Sequence, residues 1–181
     1  ESGHPPSLWA ATAEPPPPST PFEGSADVDA VVIGAGYCGS STALHLSERG
    51  ASVMLLEAME IGSGAAGRSM GLVNPHFRTL PSQIEAKFGP DLGGRMNAAY
   101  GNGGDVVFDI IERHGIRCDA VRAGTLEVGN TRKGLAELQT YHREHGALTG
   151  RHEWLDGPSI EHMTGVRGYT AGYIDRSAGT I

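Results

Sequence analysis

The chain has 181 residues, enough for one ordinary domain, and a formal net charge of −7. That acidity argues against nucleic acid or an anionic membrane as partner, and no apolar run is long enough to span a bilayer. With only Cys38 and Cys118 present there is no disulfide framework, and a reducing, cytoplasmic setting is expected.

The chain opens on Glu1 with no signal-peptide pattern, which points to a processed start or a fragment. Residues 1–28 read as a polar, proline-rich N-terminal arm. Pro15-Pro16-Pro17-Pro18 favours an extended polyproline stretch, and Leu8-Trp9-Ala10-Ala11 is the one sticky segment. Two readings stand for the arm. It is a solvated tail, or it is a strap whose Trp9 docks on the body of the protein or on a neighbouring subunit.

Residues 29–57 carry the strongest pattern. Ala30-Val31-Val32-Ile33 is a short apolar run suited to a parallel strand. A glycine turn follows. Gly34 ends the strand and permits the turn, Gly36 leaves room for a pyrophosphate, and Gly39 lets the next helix pack closely. That helix is predicted over Tyr37–Arg49, with Ala43, Leu44 and Leu46 toward the sheet and Gly50 as its stop. Val53-Met54-Leu55-Leu56 is the second strand, and Glu57 then falls where an acid accepts hydrogen bonds from ribose hydroxyls. Free N–H groups and the dipole at the helix start suit a diphosphate. Together these are the parts of a dinucleotide-binding βαβ unit. Glu57 would repel a 2′-phosphate, which argues against NADP, whereas NAD and FAD stay open at this level.

Residues 61–77 form a glycine-rich loop with one arginine, Arg68. Helices are predicted over 81–88 and 92–114, the second interrupted by Gly101, Gly103 and Gly104 and capped by Gly115. Residues 124–128 alternate like a strand. An amphipathic helix is expected over 131–145, with Leu135, Leu138 and Tyr141 on one face and Gly146 as stop. Trp154-Leu155 reads as a short strand, Asp156 as a cap, 158–163 as a helix and 169–174 as a last strand. This succession is unlike a dehydrogenase, which should continue strand–helix–strand, so an NAD-linked enzyme is disfavoured. A two-stranded parallel unit cannot bury both faces, so further strands are expected from a C-terminal portion or a companion polypeptide.

The βαβ unit followed by Ile61-Gly62-Ser63-Gly64-Ala65-Ala66-Gly67-Arg68-Ser69-Met70-Gly71 resembles the D-amino-acid-oxidase-like, or DAO, family of FAD-dependent amine oxidoreductases. Within it, the chain resembles the gamma-glutamylputrescine oxidoreductase-like branch. Leu8–Ala13 and Gly172-Tyr173-Ile174-Asp175 add weaker support. The likeness runs along nearly the whole chain but covers about the first half of a family member. At the loop, Ala66, Ser69 and Met70 depart from the branch's pattern; one side-chain hydrogen-bonder is lost and one is shortened.

The resemblance implies an α/β fold: a Rossmann-like FAD-binding βαβ unit and the start of an α+β substrate domain, incomplete without a C-terminal portion. The implied division is an arm at 1–28, the FAD-binding unit with its loop at 29–80, and a helical segment opening the substrate domain at 81–181. It also implies roles. Gly34, Gly36, Cys38 and Gly39 surround the pyrophosphate, and Glu57 holds the adenosine ribose. Ser63, Arg68 and Ser69 contact the phosphates or the ribityl chain, and Gly71, Leu72 and Val73 pass their backbone beside the isoalloxazine ring. The implied reaction is oxidation of a small amine or amino acid by hydride transfer to the flavin. The rival is a non-catalytic nucleotide-binding or scaffolding subunit that completes its fold with a partner chain.

Several side chains carry two readings. Arg68 serves a phosphate or makes a surface salt bridge. Cys38 is a thiolate stabilised by the helix start or a small residue packed under the pyrophosphate. His76 and Arg78 follow the glycine loop and could border the flavin. His142 and His145, at i, i+3 without a carboxylate or cysteine at ligand spacing, read as a solvated helix face, and no metal is expected. Glu112-Arg113-His114 reads as helix-end charge. No residue is singled out as catalytic.

Overall fold

The computed structural model describes residue 4 and residues 6–181, and the chain divides into two compact units, 1–70 and 71–181. The division falls between Met70 and Gly71, N-terminal to the expected boundary at 80–81. The reason is local: the end of the glycine loop pairs with the last strand of the second unit.

The first unit begins with α1 (Leu8–Thr12), a single turn capped by the Ser7 hydroxyl, where a proline-rich arm was expected; Pro15–Pro18 are exposed and outside any regular element. Then come β1 (Ala30–Ile33), α2 (Tyr37–Glu48) and β2 (Val53–Leu56). β1 and β2 pair in parallel from Ala30↔Val53 to Ile33↔Leu56, as the apolar runs dictate. Helix α2 covers one face. Ala43, Leu44 and Leu46 are half-buried, and Gly50 takes a positive φ of 86° just past the helix end. The alternation along β1 leaves Val31 53 % and Ile33 86 % exposed on the other face. A short 3-10 turn at Ala66–Arg68 closes the unit.

The second unit holds β3 (Leu72–Val73), α3 (Pro81–Phe88), α4 (Pro90–Gly101) and α5 (Gly103–His114). The expected break near Gly101–Gly104 is real: α4 and α5 are separate helices joined at Asn102, and Gly115 caps α5 in the left-handed region. Gly104 lies tight against the Ser177 carbonyl, where a Cβ would stand 2.4 Å away. Then follow β4 (Thr125–Gly129), α6 (Arg132–Thr149), β5 (His152–Asp156), α7 (Gly157–Thr164), β6 (Ala171–Asp175) and β7 (Gly179–Thr180). Strands β4, β6 and β5 form an antiparallel sheet with β6 central, while β3 pairs with β7.

Three expectations are corrected here. Helix α6 does not stop at Gly146. It runs to Thr149 and ends on Gly150, whose φ is 66°. Gly146 is there for space, since a Cβ would sit 3.0 Å from the Cβ of His152. Strand β5 is longer than Trp154-Leu155, because pairing with β6 draws in His152 through Asp156. The face of α6 bearing His142 and His145 is not solvated: His142 is half-buried and His145 is 2 % exposed. That face lies on the three-stranded sheet.

The sheet has two distinct faces. Leu126, Val128, Leu155 and Ile174 point one way and pack with Ile160 of α7, forming the apolar core. The strand period of two and the register put His152, Trp154, Tyr173 and Asp175 on the opposite face. Helix α6 covers that face with Leu138, Tyr141, His142 and His145, which recur at helical spacing.

Candidate functional site

The parallel pairing brings the C-terminal ends of β1 and β2 side by side, which is where open α/β sheets bind ligands. The Gly34 amide donates to the Leu56 carbonyl at 2.7 Å, fixing the glycine turn against the end of β2. Gly34 has φ 97°, a conformation that L side chains rarely adopt. At Gly39 a Cβ would stand 1.8 Å from the Gly34 carbonyl oxygen, so only glycine permits the helix to approach the turn. Gly36 differs: a Cβ there meets nothing within 4 Å. Its missing side chain opens space rather than relieving a clash. Gly36 also caps α2 without a side-chain hydrogen bond, so the first-turn N–H groups face the crevice uncapped.

Glu57 is held at this turn. One carboxylate oxygen accepts from the Ala35 amide at 2.7 Å, and the other accepts from the Met59 amide at 3.1 Å. The Ala35 amide first, then that of Met59, hold the Glu57 carboxyl below its ordinary value, so it is an anion at neutral pH. Cys38 is exposed in the first turn of α2.

The glycine-rich loop folds back on the same unit. The Tyr37 hydroxyl donates to the Ala66 carbonyl at 3.0 Å and meets the Ser69 hydroxyl at 2.6 Å, tying the helix start to the loop. The Arg68 guanidinium donates to the Ser63 carbonyl at 3.4 Å. Ser63 is 4 % exposed, and its hydroxyl has no hydrogen-bond partner. An orphaned buried hydroxyl, an open cradle at Gly36 and an uncapped helix start fit a dinucleotide's acceptor-rich diphosphate and ribose.

The structure therefore brings Gly34, Gly36, Cys38, Gly39, Glu57, Ser63, Arg68 and Ser69 into one compact unit. Gly71, Leu72 and Val73 belong to the other. Gly71 has φ 66° and its carbonyl accepts from the Ile181 amide, while Leu72 and Val73 pair with β7. Tyr37 and the Ala35 amide were not anticipated. The tyrosine opens the helix within the glycine motif, where it reads only as helix, and a backbone amide has no signature of its own.

A second constellation lies in the 71–181 unit. His76, His145, His152 and Asp175 meet under α6. Asp175 Oδ2 is 3.3 Å from His152 Nε2 and 3.5 Å from His76 Nδ1, although neither contact is aligned as a hydrogen bond. The rings of His76 and His145 lie 4.5 Å apart, and His152 stacks on Tyr173 at 4.8 Å. Burial first, then the neighbouring His76 and His152, lower His145 to about 4. Burial alone would raise Asp175, but His152, His76 and Ser177 outweigh it and hold the carboxyl far below the usual range. A cavity of about 870 Å³ opens beside this group, lined by Asn74, His76, Glu127, Tyr141, Tyr173 and Asp175 among others.

The crevice in the first unit defines a dinucleotide-binding βαβ protein. Residues 29–181 match the FAD dependent oxidoreductase family, DAO, and the chain belongs to that family. It is 36 % identical over 181 residues to gamma-glutamylputrescine oxidoreductase of Escherichia coli K12, an alignment covering 98 % of this chain and 42 % of that protein. It is 29 % identical over 167 residues to the probable oxidoreductase OrdL of Haemophilus influenzae, covering 91 % of this chain and 38 % of that one. Among solved structures, L-amino acid deaminase from Proteus myxofaciens in complex with anthranilate superposes with a TM-score of 0.71. Identity there is 20 %, over 91 % of this chain and 35 % of that chain, and the likeness is one of fold. The chain spans about two fifths of the length of gamma-glutamylputrescine oxidoreductase and the OrdL proteins, and less of other curated relatives it matches. Among the described residues, no helix is long and apolar enough to cross a membrane.

Proposed function

We propose that this chain is the N-terminal portion of an FAD-dependent oxidoreductase acting on a small amine or amino acid. The carrying observation is the Glu57 carboxylate, fixed as an anion on the Ala35 amide beside an open, uncapped glycine turn. Glu57 would accept from the adenosine ribose hydroxyls. Gly34, Gly36, Cys38 and Gly39 would line the diphosphate, with amides aimed at its oxygens. Ser63, Arg68 and Ser69 would bind phosphate or ribityl oxygens, and Gly71, Leu72 and Val73 would lie by the flavin ring. When bound, the cofactor would take a hydride equivalent from the substrate's amine carbon, leaving an imine that water hydrolyses. The protein's share is orientation and exclusion of water rather than acid–base work.

In this reading residues 29–80 carry the cofactor and 81–181 open the substrate domain, behind an arm at 1–28. The bare face of β1 takes its cover from a C-terminal portion or a companion polypeptide. The free cysteines suit a reducing cytoplasmic compartment.

The test uses Gly36. A Cβ there meets no atom within 4 Å beyond its chain neighbours, so Gly36→Val is expected to keep the fold and to block the ligand. The full-length protein is expected to carry flavin absorbance. Gly36→Val combined with Glu57→Arg is expected to remove both absorbance and amine oxidation. Gly36→Val alone, which keeps the Glu57 bonds to the Ala35 and Met59 amides, is expected to lose flavin while melting like the cofactor-free parent. A colourless parent protein, or activity surviving the double change, would overturn the enzyme reading in favour of a scaffold.

A further inference from the structure

We propose that His76, His152 and Asp175 form a binding site for one divalent cation of the zinc class, its fourth position facing the neighbouring cavity. The donor set is two imidazoles and one carboxylate, the borderline nitrogen and oxygen chemistry that zinc prefers. One ligand atom from each residue lies within 4.8 Å of the other two. Around a tetrahedral zinc, with bonds of about 2.0–2.1 Å, neighbouring ligand atoms stand about 3.3–3.4 Å apart. Asp175 Oδ2 stands 3.3 Å from His152 Nε2 and 3.5 Å from His76 Nδ1. These two spacings match tetrahedral edges that meet at the carboxylate oxygen, and the imidazole nitrogens lie within 4.8 Å of each other.

Hydrogen bonding points the same way. Asp175 Oδ2, His76 Nδ1 and His152 Nε2 are buried atoms that make no aligned hydrogen bond, their close polar contacts being the 3.3 and 3.5 Å approaches among themselves. Leaving such groups unsatisfied in a protein interior is costly, and most native cases have a reason. A cation would satisfy all three at once. The other oxygen of Asp175 is already engaged: the Ser177 amide donates to it at 2.9 Å, and the Ser177 hydroxyl also meets it. That grip turns Oδ2 toward the imidazoles, as outer-shell partners orient metal ligands. The three ligands come from separate segments: the turn after β3, strand β5 and strand β6. A bound ion would staple them beneath α6. His76 and Asp175 line the cavity, which leaves room for water or another small ligand at the fourth position.

The experiment is metal binding to the untagged, full-length protein. The protein is stripped with a chelator, dialysed, and titrated with Zn²⁺ and, for spectroscopy, Co²⁺. The expected result is one saturable equivalent per chain, with the visible bands of tetrahedral cobalt. Both are lost in His76→Gln and in His152→Gln and kept in His142→Gln, whose ring neighbours His152 without belonging to the set. Thermal melting checks each variant. His76 is partly exposed, so His76→Gln decides the matter if His152→Gln fails to fold. Absence of saturable binding by the folded parent, or uptake unchanged in His76→Gln, would overturn the site and leave a metal-free cluster of histidines and a carboxylate. Flavin absorbance recorded on the parent and on His152→Gln reports the cofactor reading separately, because His152 lies outside the residues proposed to hold the cofactor.

Discussion

Glu57 shows how one side chain can serve the fold and the ligand together. Its carboxylate closes the glycine turn through the Ala35 amide, and in the proposed function the same anion would accept from a ribose. The sign of its pH effect follows from the lowered pKa. A carboxyl depressed in the folded state contributes fully above its ordinary value, about 4.3, and that contribution is lost as pH falls through the lower folded value. Cofactor retention by the full-length protein should thus fall off only at pH values below the ordinary carboxylate range. Glu57→Gln should weaken FAD binding about tenfold or more at pH 7 and flatten the acid limb. Equilibrium dialysis of FAD against pH reads both; an unchanged acid limb in Glu57→Gln would remove this residue from the ribose site. Gly34 and Gly39 are legible because those two places in the turn exclude a side chain, whereas Gly36 and Glu57 are legible only through their spacing in the βαβ pattern. Tyr37 is not legible, because a helix-opening tyrosine whose hydroxyl reaches a loop some thirty positions away leaves no local pattern.

At the scale of the element, α6 separates what glycine does from where it stands. The sequence offers Gly146 as the stop, and the helix ends on Gly150. Gly150 sits at φ 66°, which a Cβ disfavours, so Gly150→Ala should cost about 1 kcal/mol through the backbone. Gly146 lies inside the helix, where alanine has the better propensity by about 1 kcal/mol. Its Cβ would press on His152 from 3.0 Å, and β5 is held by β6 and cannot retreat. Gly146→Ala should therefore destabilise by about 1 kcal/mol despite the gain in propensity. Denaturant unfolding of the two variants distinguishes the mechanisms: stabilisation by Gly146→Ala would mean that the α6–β5 contact is slack. The same packing explains the missed histidines. His152 and Trp154, like Tyr173 and Asp175, are two apart and share a strand face, a pattern present in the sequence. What the sequence did not show was that β5 and β6 pair in this register with α6 on that face. His142 and His145 took their reading from their own helix alone.

For the whole molecule, the decisive quantity is apolar surface left bare. Helix α2 covers one face of the parallel pair, while Val31 and Ile33 stand 53 % and 86 % exposed on the other. Burying a side chain of this size contributes about 1.5–3 kcal/mol, so these two positions alone withhold an amount comparable with a sizeable part of a domain's net stability. The chain spans 42 % of gamma-glutamylputrescine oxidoreductase of Escherichia coli K12, and the family's remaining length is the natural source of cover. The 181-residue segment expressed alone should bind a hydrophobic dye and hold FAD weakly, since the crevice's far wall depends on a sheet that is only two strands wide. Supplying the C-terminal portion, fused or as a separate polypeptide, should suppress dye fluorescence and bring flavin to one per chain. Ile33→Lys should block that recovery by placing a charge in the face to be buried, and should itself lower dye binding by the isolated segment. Full recovery in Ile33→Lys would show that the bare face is not where the fold is completed, and the cover would have to be sought on the outer edges of β1 and β2.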